Sequence, residues 1–101
     1  MKEKWLLLSL IGFLISCSKQ ESMDALTARV FTVAEQQYLT MDTRLEVTTL
    51  PQSIASDSTF KSSTIYWWCS GFYPGSLWYI YEYTQNEAVK TLAEKNTLKL
   101  D

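Results

Sequence analysis

The stretch Ile65-Tyr66-Trp67-Trp68-Cys69-Ser70-Gly71-Phe72-Tyr73-Pro74-Gly75-Ser76-Leu77-Trp78-Tyr79-Ile80-Tyr81-Glu82-Tyr83 holds nine of the chain's fourteen aromatic residues. Flat aromatic rings stack on the apolar C–H face of a sugar, so this run, broken by two glycines and a proline, suggests a carbohydrate-facing edge. Core packing is the competing reading. It weighs more for Trp78, Tyr79 and Tyr81, and equally with sugar binding for Trp67, Trp68 and Phe72. The second chemically distinctive residue is Cys17. Lys2 and Lys4 give a positive start, and about ten apolar residues come next, too few to span a bilayer core of about 30 Å. They end in Leu14-Ile15-Ser16-Cys17, the lipobox pattern, in which the cysteine thiol is acylated and residues 1–16 are removed as a signal peptide. An ordinary secretory signal, or a buried helix with an incidental cysteine, is the plainer alternative. Charge, apolar length and cysteine position together favour the lipobox. Two acyl chains anchor stably, at about 0.8 kcal/mol per buried CH₂. Ser18, where an aspartate would retain the protein at the inner membrane, predicts a bacterial cell-envelope protein on the outer membrane, facing the periplasm.

What is missing narrows the chemistry. The chain has no histidine, which excludes imidazole metal sites and histidine-based triads, and no metal or other cofactor is expected. Cys17 is committed to lipid, so Cys69 stands unpaired and no disulfide framework exists. After residue 16 the basic residues are Lys19, Arg29, Arg44, Lys61, Lys90, Lys95 and Lys99, against a larger number of acidic ones. No basic patch is large enough to hold a polyanionic backbone, and nucleic acid is not an expected partner.

The elements that must position the aromatics are mostly helical. Residues 17–22 read as a lipidated polar tether. From Met23 to about Leu45, Leu26, Val30, Val33, Ala34, Met41 and Leu45 trace one helical face, with Ser22 or Asp24 as the cap. Val47 to Phe60, with Pro51 and several serines and threonines, reads as a loop. Tyr66–Phe72 reads as a loop or extended segment. A helix is predicted from near Pro74 to about Tyr83, apolar on both sides and therefore buried on most of its circumference. After a short turn at Thr84-Gln85-Asn86, Glu87 to Leu98 returns to helical spacing, with Lys90 and Glu94 as an i, i+4 pair. Three helices cannot cover a helix that is apolar all round, so residues 23–101 read as the front of a longer fold rather than a complete small lipoprotein.

The segment Trp68-Cys69-Ser70-Gly71-Phe72-Tyr73-Pro74-Gly75-Ser76-Leu77-Trp78-Tyr79-Ile80-Tyr81-Glu82-Tyr83-Thr84 resembles the N-terminal signature of the unsaturated glucuronyl hydrolases, glycoside hydrolase family 88. That signature runs tryptophan, two small polar residues, Gly-Phe, an aromatic, a small residue and Gly, then Leu-Trp-x-x-Tyr-Glu-x-Thr. The preceding helix with its Leu50-Pro51-Gln52-Ser53 loop, and the following Ala88–Lys95 helix, extend the resemblance over most of residues 25–101. It implies an all-α fold, with about three helices of an (α/α)6 barrel present. It also implies enzymes that remove a 4,5-unsaturated uronic acid from the non-reducing end of lyase-generated oligosaccharides. There an aspartic acid protonates the C4=C5 vinyl ether, water adds, and the resulting hemiketal collapses with loss of the sugar. This is general acid–base catalysis rather than displacement at the anomeric carbon.

Carried over residue by residue, the resemblance implies substrate stacking for Trp68 and a turn-shaping role for Gly71, Pro74 and Gly75. Trp67 stands where several members have an aspartate, which alters the cleft wall. The family's first catalytic aspartate lies in an Asp-x-Gly-Phe motif absent from this sequence, and Asp24, Asp42, Asp57 and Asp101 match neither catalytic position. The expectation is therefore an N-terminal fragment of a lipid-anchored hydrolase, inactive by itself, whose partners are an unsaturated uronic-acid oligosaccharide and a membrane. Three alternatives stay open. They are an unsaturated rhamnogalacturonyl hydrolase fragment, a small glycan-binding lipoprotein using Trp67, Trp68 and Tyr73, and a helical module whose aromatic face meets a protein.

Overall fold

The computed structural model describes residues 20–101; the expected signal peptide, the Cys17 attachment site and the first half of the tether lie outside this range. Helix α1 spans Met23–Asp42. Ser22 caps it, its side-chain oxygen accepting from the Ala25 N–H at 3.2 Å, and Asp24 in the first turn complements the positive end of the helix dipole. The helix stops short of Leu45. Arg44 and Leu45 donate to carbonyls three residues back, which tightens the chain out of α geometry.

The segment read as a loop, Val47 to Phe60, instead holds the first strand and the tip of a β-hairpin whose second strand runs on to Thr64. Strand β1, Thr49–Ile54, pairs antiparallel with β2, Phe60–Thr64. The all-α expectation is corrected accordingly: the fold is mostly helical with one two-stranded sheet. Pro51 donates no hydrogen bond, and the register shifts between Pro51 and Ser53, so the proline sits beside a bulge in a strand with an open edge. At the tip Ser58 adopts φ 66°, and the Asp57 carboxylate accepts from the Thr59 N–H at 3.0 Å. Only Leu50 of the hairpin is fully buried, and this one side chain anchors the sheet to the helices.

Helices α2, Phe72–Thr84, and α3, Glu87–Leu98, form an antiparallel pair across the turn Gln85-Asn86. Helix α2 starts two residues before Pro74. The proline occupies the third helical position, where its missing N–H has no intrahelical partner to lose. Gln85 closes α2 in the left-handed region, its N–H donating to the Tyr81 carbonyl. Asn86 then serves two elements. Its carbonyl oxygen caps α3 by accepting from the Ala88 N–H, and its amide donates to Glu35 Oε1 on α1 at 2.8 Å. Lys90 pairs back to Glu87 at 3.6 Å rather than forward to Glu94, and sits 5.6 Å from the Tyr81 ring centre.

The core is Leu50, Tyr73, Leu77, Ile80, Val89 and Ala93, with Phe31, Ala34, Tyr38, Leu39 and Met41 of α1 packed on one side. A polar cluster ties the three helices together. Asp42, the last residue of α1, accepts from Lys95 Nζ at 2.8 Å and from Asn96 Nδ2 at 2.8 Å, both on α3. The Tyr73 hydroxyl on α2 lies 3.5 Å from Asp42 Oδ1 and 3.4 Å from the Tyr38 carbonyl oxygen. Burial pushes the Asp42 carboxyl up, but hydrogen bonds from Lys95 and Asn96 and the charges of Lys95 and Lys99 outweigh it and hold it below the usual carboxylate range. Burial first, then the neighbouring Asp42 charge, drives the Tyr73 phenol well above its ordinary value. Among the described residues, no helix is long and apolar enough to cross a membrane.

Candidate functional site

The aromatic segment enters through consecutive tight turns. Trp67 N–H donates to the Thr64 carbonyl, Ser70 N–H to that of Trp67, and Phe72 N–H to that of Cys69, delivering the chain into α2. Trp68 projects from these turns 80% exposed and meets Phe72 edge-on, with ring centres 6.3 Å apart and planes at 86°. Trp67 is less exposed than Trp68, and Tyr66 is open to solvent.

Helix α2 then divides its aromatics by face. Tyr73, Pro74, Leu77 and Ile80 point inward. Trp78 and Tyr81 face α3: the Trp78 indole N–H donates to Thr97 Oγ1 at 3.0 Å, and the Tyr81 hydroxyl donates to Glu87. The outer face carries Phe72, Tyr79 and Tyr83, at helical spacing with Trp68 one turn before them. Phe31 of α1 stacks on Tyr83 at 4.0 Å and reaches Tyr79 at 6.2 Å, extending the band across two helices. Among the described residues the outer face of α2 is covered only in part, by Phe31 of α1, as expected if residues 23–101 are the front of a longer fold. That face carries an aromatic strip interrupted between Phe72 and Tyr79 by Gly75 and Ser76.

Between Phe72 and Tyr79 lies a groove of about 400 Å³, lined also by Gly71, Gly75, Ser76 and Tyr38. Neither glycine is needed for a turn, contrary to the expected shaping role. Gly71 is in the ordinary right-handed region, neither has positive φ, and a Cβ at either position would meet nothing within 4 Å. What the missing side chains do is keep the groove floor open. Tyr73 is also reassigned. At 5% exposure, stacked on Tyr38 at 5.5 Å, it belongs to the core and cannot touch a glycan.

Phe72 and Tyr79 therefore flank the groove, and Trp68 does not line it but stands against Phe72; the exposed rings suit stacking on planar or ring-shaped apolar faces. No acid lines this groove; Glu82 lies beside Tyr79 and Tyr83 at the other end of the strip. Asp42 is buried and ion-paired, and Asp57 holds the hairpin turn. Among the described residues no cluster of three potential metal ligands forms. Tyr79 joins the outer strip although it reads as packing from its apolar neighbours Trp78 and Ile80. Its helical spacing from Phe72 through Ser76 to Tyr83 is the signal in the sequence for that strip.

Over 31 residues the chain is 52% identical to the unsaturated chondroitin disaccharide hydrolase of Streptococcus pneumoniae strain ATCC BAA-255 / R6. The likeness is local. The matched stretch is 31% of this chain and spans 8% of the streptococcal enzyme. No family model matches the chain, and no solved structure matches it.

Proposed function

We propose that residues 23–101 form the opening helices of an (α/α)6-barrel glycoside hydrolase of the unsaturated glucuronyl type. In this reading the strip of Trp68, Phe72 and Tyr79 is a wall of its sugar cleft. The observation that carries it is the exposure of Trp68, widely open for stacking and set edge-on against Phe72, which lines a groove kept bare by two glycines. The local identity to a hydrolase of an unsaturated disaccharide supplies the substrate class. These residues bind and orient. Trp68 stacks on the apolar face of a 4,5-unsaturated uronic acid, and Phe72, held edge-on, fixes the indole plane. Proton delivery to the vinyl ether falls to an aspartic acid outside the described residues, since no acid lines the groove and no Asp-x-Gly-Phe motif occurs in the sequence.

Titration of the chain with an unsaturated chondroitin disaccharide, monitored by tryptophan fluorescence, tests the binding half of the proposal. Trp68→Ala is expected to weaken binding at least about tenfold, the scale on which a central aromatic anchor contributes. Trp78→Phe, which alters an indole facing α3, is expected to leave affinity unchanged. Equal affinities for the parent chain and Trp68→Ala would remove the cleft assignment and favour a protein partner for the strip.

The reading extends to the address. Residues 1–16 act as a signal peptide, and acylated Cys17 holds the hydrolase to the outer membrane, facing the periplasm, where lyase products arrive. Incorporation of labelled palmitate in a bacterial host is expected for the parent chain and absent from Cys17→Ala. Labelling that persists in Cys17→Ala counts against the anchor.

A further inference from the structure

A second concavity, of about 440 Å³, lies between the end of α3 and the segment joining α1 to β1. Its walls are apolar, from Leu45, Val47, Ile65 and Leu98, while Lys95 and Lys99 supply cations at its edge. Val47 and Leu98 are both largely exposed there. None of these residues belongs to the aromatic strip, so the chemistry of this pocket is independent of the carbohydrate reading.

The two lysines are not equivalent. Lys95 is neutralised by Asp42 at 2.8 Å. Lys99 has no carboxylate within ion-pair distance among the described residues. Its ammonium donates instead to two backbone carbonyls, of Thr49 at 3.1 Å and Glu46 at 3.3 Å. An ammonium has three donors, so one remains unused. Burial, and then repulsion from Lys95, lower the Lys99 pKa, and attraction to Asp42 opposes this only in part. A partly desolvated cation with a spare donor, set beside an apolar hollow, lacks a counter-ion that also brings hydrocarbon.

We propose that this pocket binds an amphipathic monocarboxylate, with its carboxylate on Lys99 and its hydrocarbon body against Leu45, Val47, Ile65 and Leu98. The charged group supplies the missing counter-ion, and the hydrocarbon covers surface now exposed to water. Glu46 also lines the hollow, and its charge disfavours dianions more than a single carboxylate.

Octanoate and octan-1-ol, titrated into the full chain, separate the charged contribution from the apolar one. Lysine side-chain NMR of the parent chain is expected to show the Lys99 pKa rising as octanoate saturates, because the new carboxylate favours the charged ammonium. Octan-1-ol is expected to leave it unmoved. Lys99→Gln is expected to weaken octanoate at least about tenfold while Lys99→Arg retains it, the difference a charge-assisted hydrogen bond makes. A Lys99 titration indifferent to saturating octanoate overturns the proposal without recourse to any variant. Equal octanoate affinity in Lys99→Gln overturns it as well.

Discussion

Replacing Asp42 by alanine is expected to cost about 3 kcal/mol of folding stability. The carboxylate is only 7% exposed and is the common acceptor for Lys95 and Asn96 on α3 and a neighbour of the Tyr73 hydroxyl on α2. Without it the Asn96 amide keeps only the Leu92 carbonyl, while the Asn96 carbonyl oxygen is already buried without a partner. Lys95 is half-exposed and water recovers part of its charge, which keeps the cost at the lower end for a broken buried pair. A core of six buried hydrophobic residues leaves little margin, so urea unfolding monitored by circular dichroism should find Asp42→Ala largely unfolded before denaturant is added. A midpoint equal to that of the parent chain contradicts this role. Asp42→Asn keeps an acceptor for Asn96 and should show only part of the loss.

The same cluster sets the pH limits of the fold. Asp42 has a folded pKa below its unfolded value, so its contribution is complete above about pH 4 and is lost as pH falls through the folded value. Tyr73 has a raised folded pKa, so its contribution is complete below about pH 10 and is lost as pH rises beyond that. Stability should therefore be flat between these limits for these two groups. Asp42→Asn should remove much of the acid arm, and Tyr73→Phe the alkaline one.

Leu77→Ala carries the second large effect. Leu77 is completely buried, on the inner face of α2 among Tyr73, Ile80, Val89 and Ala93. Its truncation deletes buried methyl groups and leaves a cavity that two helices and a hairpin anchor cannot easily close. The expected loss is about 2–5 kcal/mol, against less than about 1.5 kcal/mol for the volume-conserving Leu77→Met. If both variants unfold at the same urea concentration, Leu77 is not the packing centre of the α2–α3 pair. Neither change touches Asp42, so the milder Leu77→Met should keep the acid dependence of the parent chain.

Much of the helical arrangement is written locally. The start of α1 at Ser22, the turn at Gln85-Asn86 and the limits of α3 arise from capping chemistry within a few residues, and the sequence places them well. The hairpin is different. Strands β1 and β2 are mostly polar, interrupted by Pro51 and anchored by one buried leucine, so no alternation marks them and pairing with each other is what defines them. The Asp42 cluster is equally hidden, because residues 42, 73, 95 and 96 meet only after three helices have packed. For the aromatic segment, composition suggests a sugar-facing edge with Trp68 within it. Composition does not divide Tyr73, which turns into the core, from Tyr79, which turns out; only the helical spacing of Tyr79 with Phe72, Ser76 and Tyr83 separates them.

The role proposed for the exposed strip, and for Trp68 above all, is to receive a sugar. Its most direct test tracks the tryptophan indole N–H resonances of the chain by NMR as an unsaturated chondroitin disaccharide is added. The Trp68 resonance should move progressively and saturate, with ring protons of Phe72 and Tyr79 shifting in step. The Trp78 resonance, tied to Thr97 and facing α3, should stay in place. A Trp68 signal that stays fixed at saturating disaccharide, or shifts spread evenly over Trp68 and Trp78, would contradict a sugar-binding role for the strip.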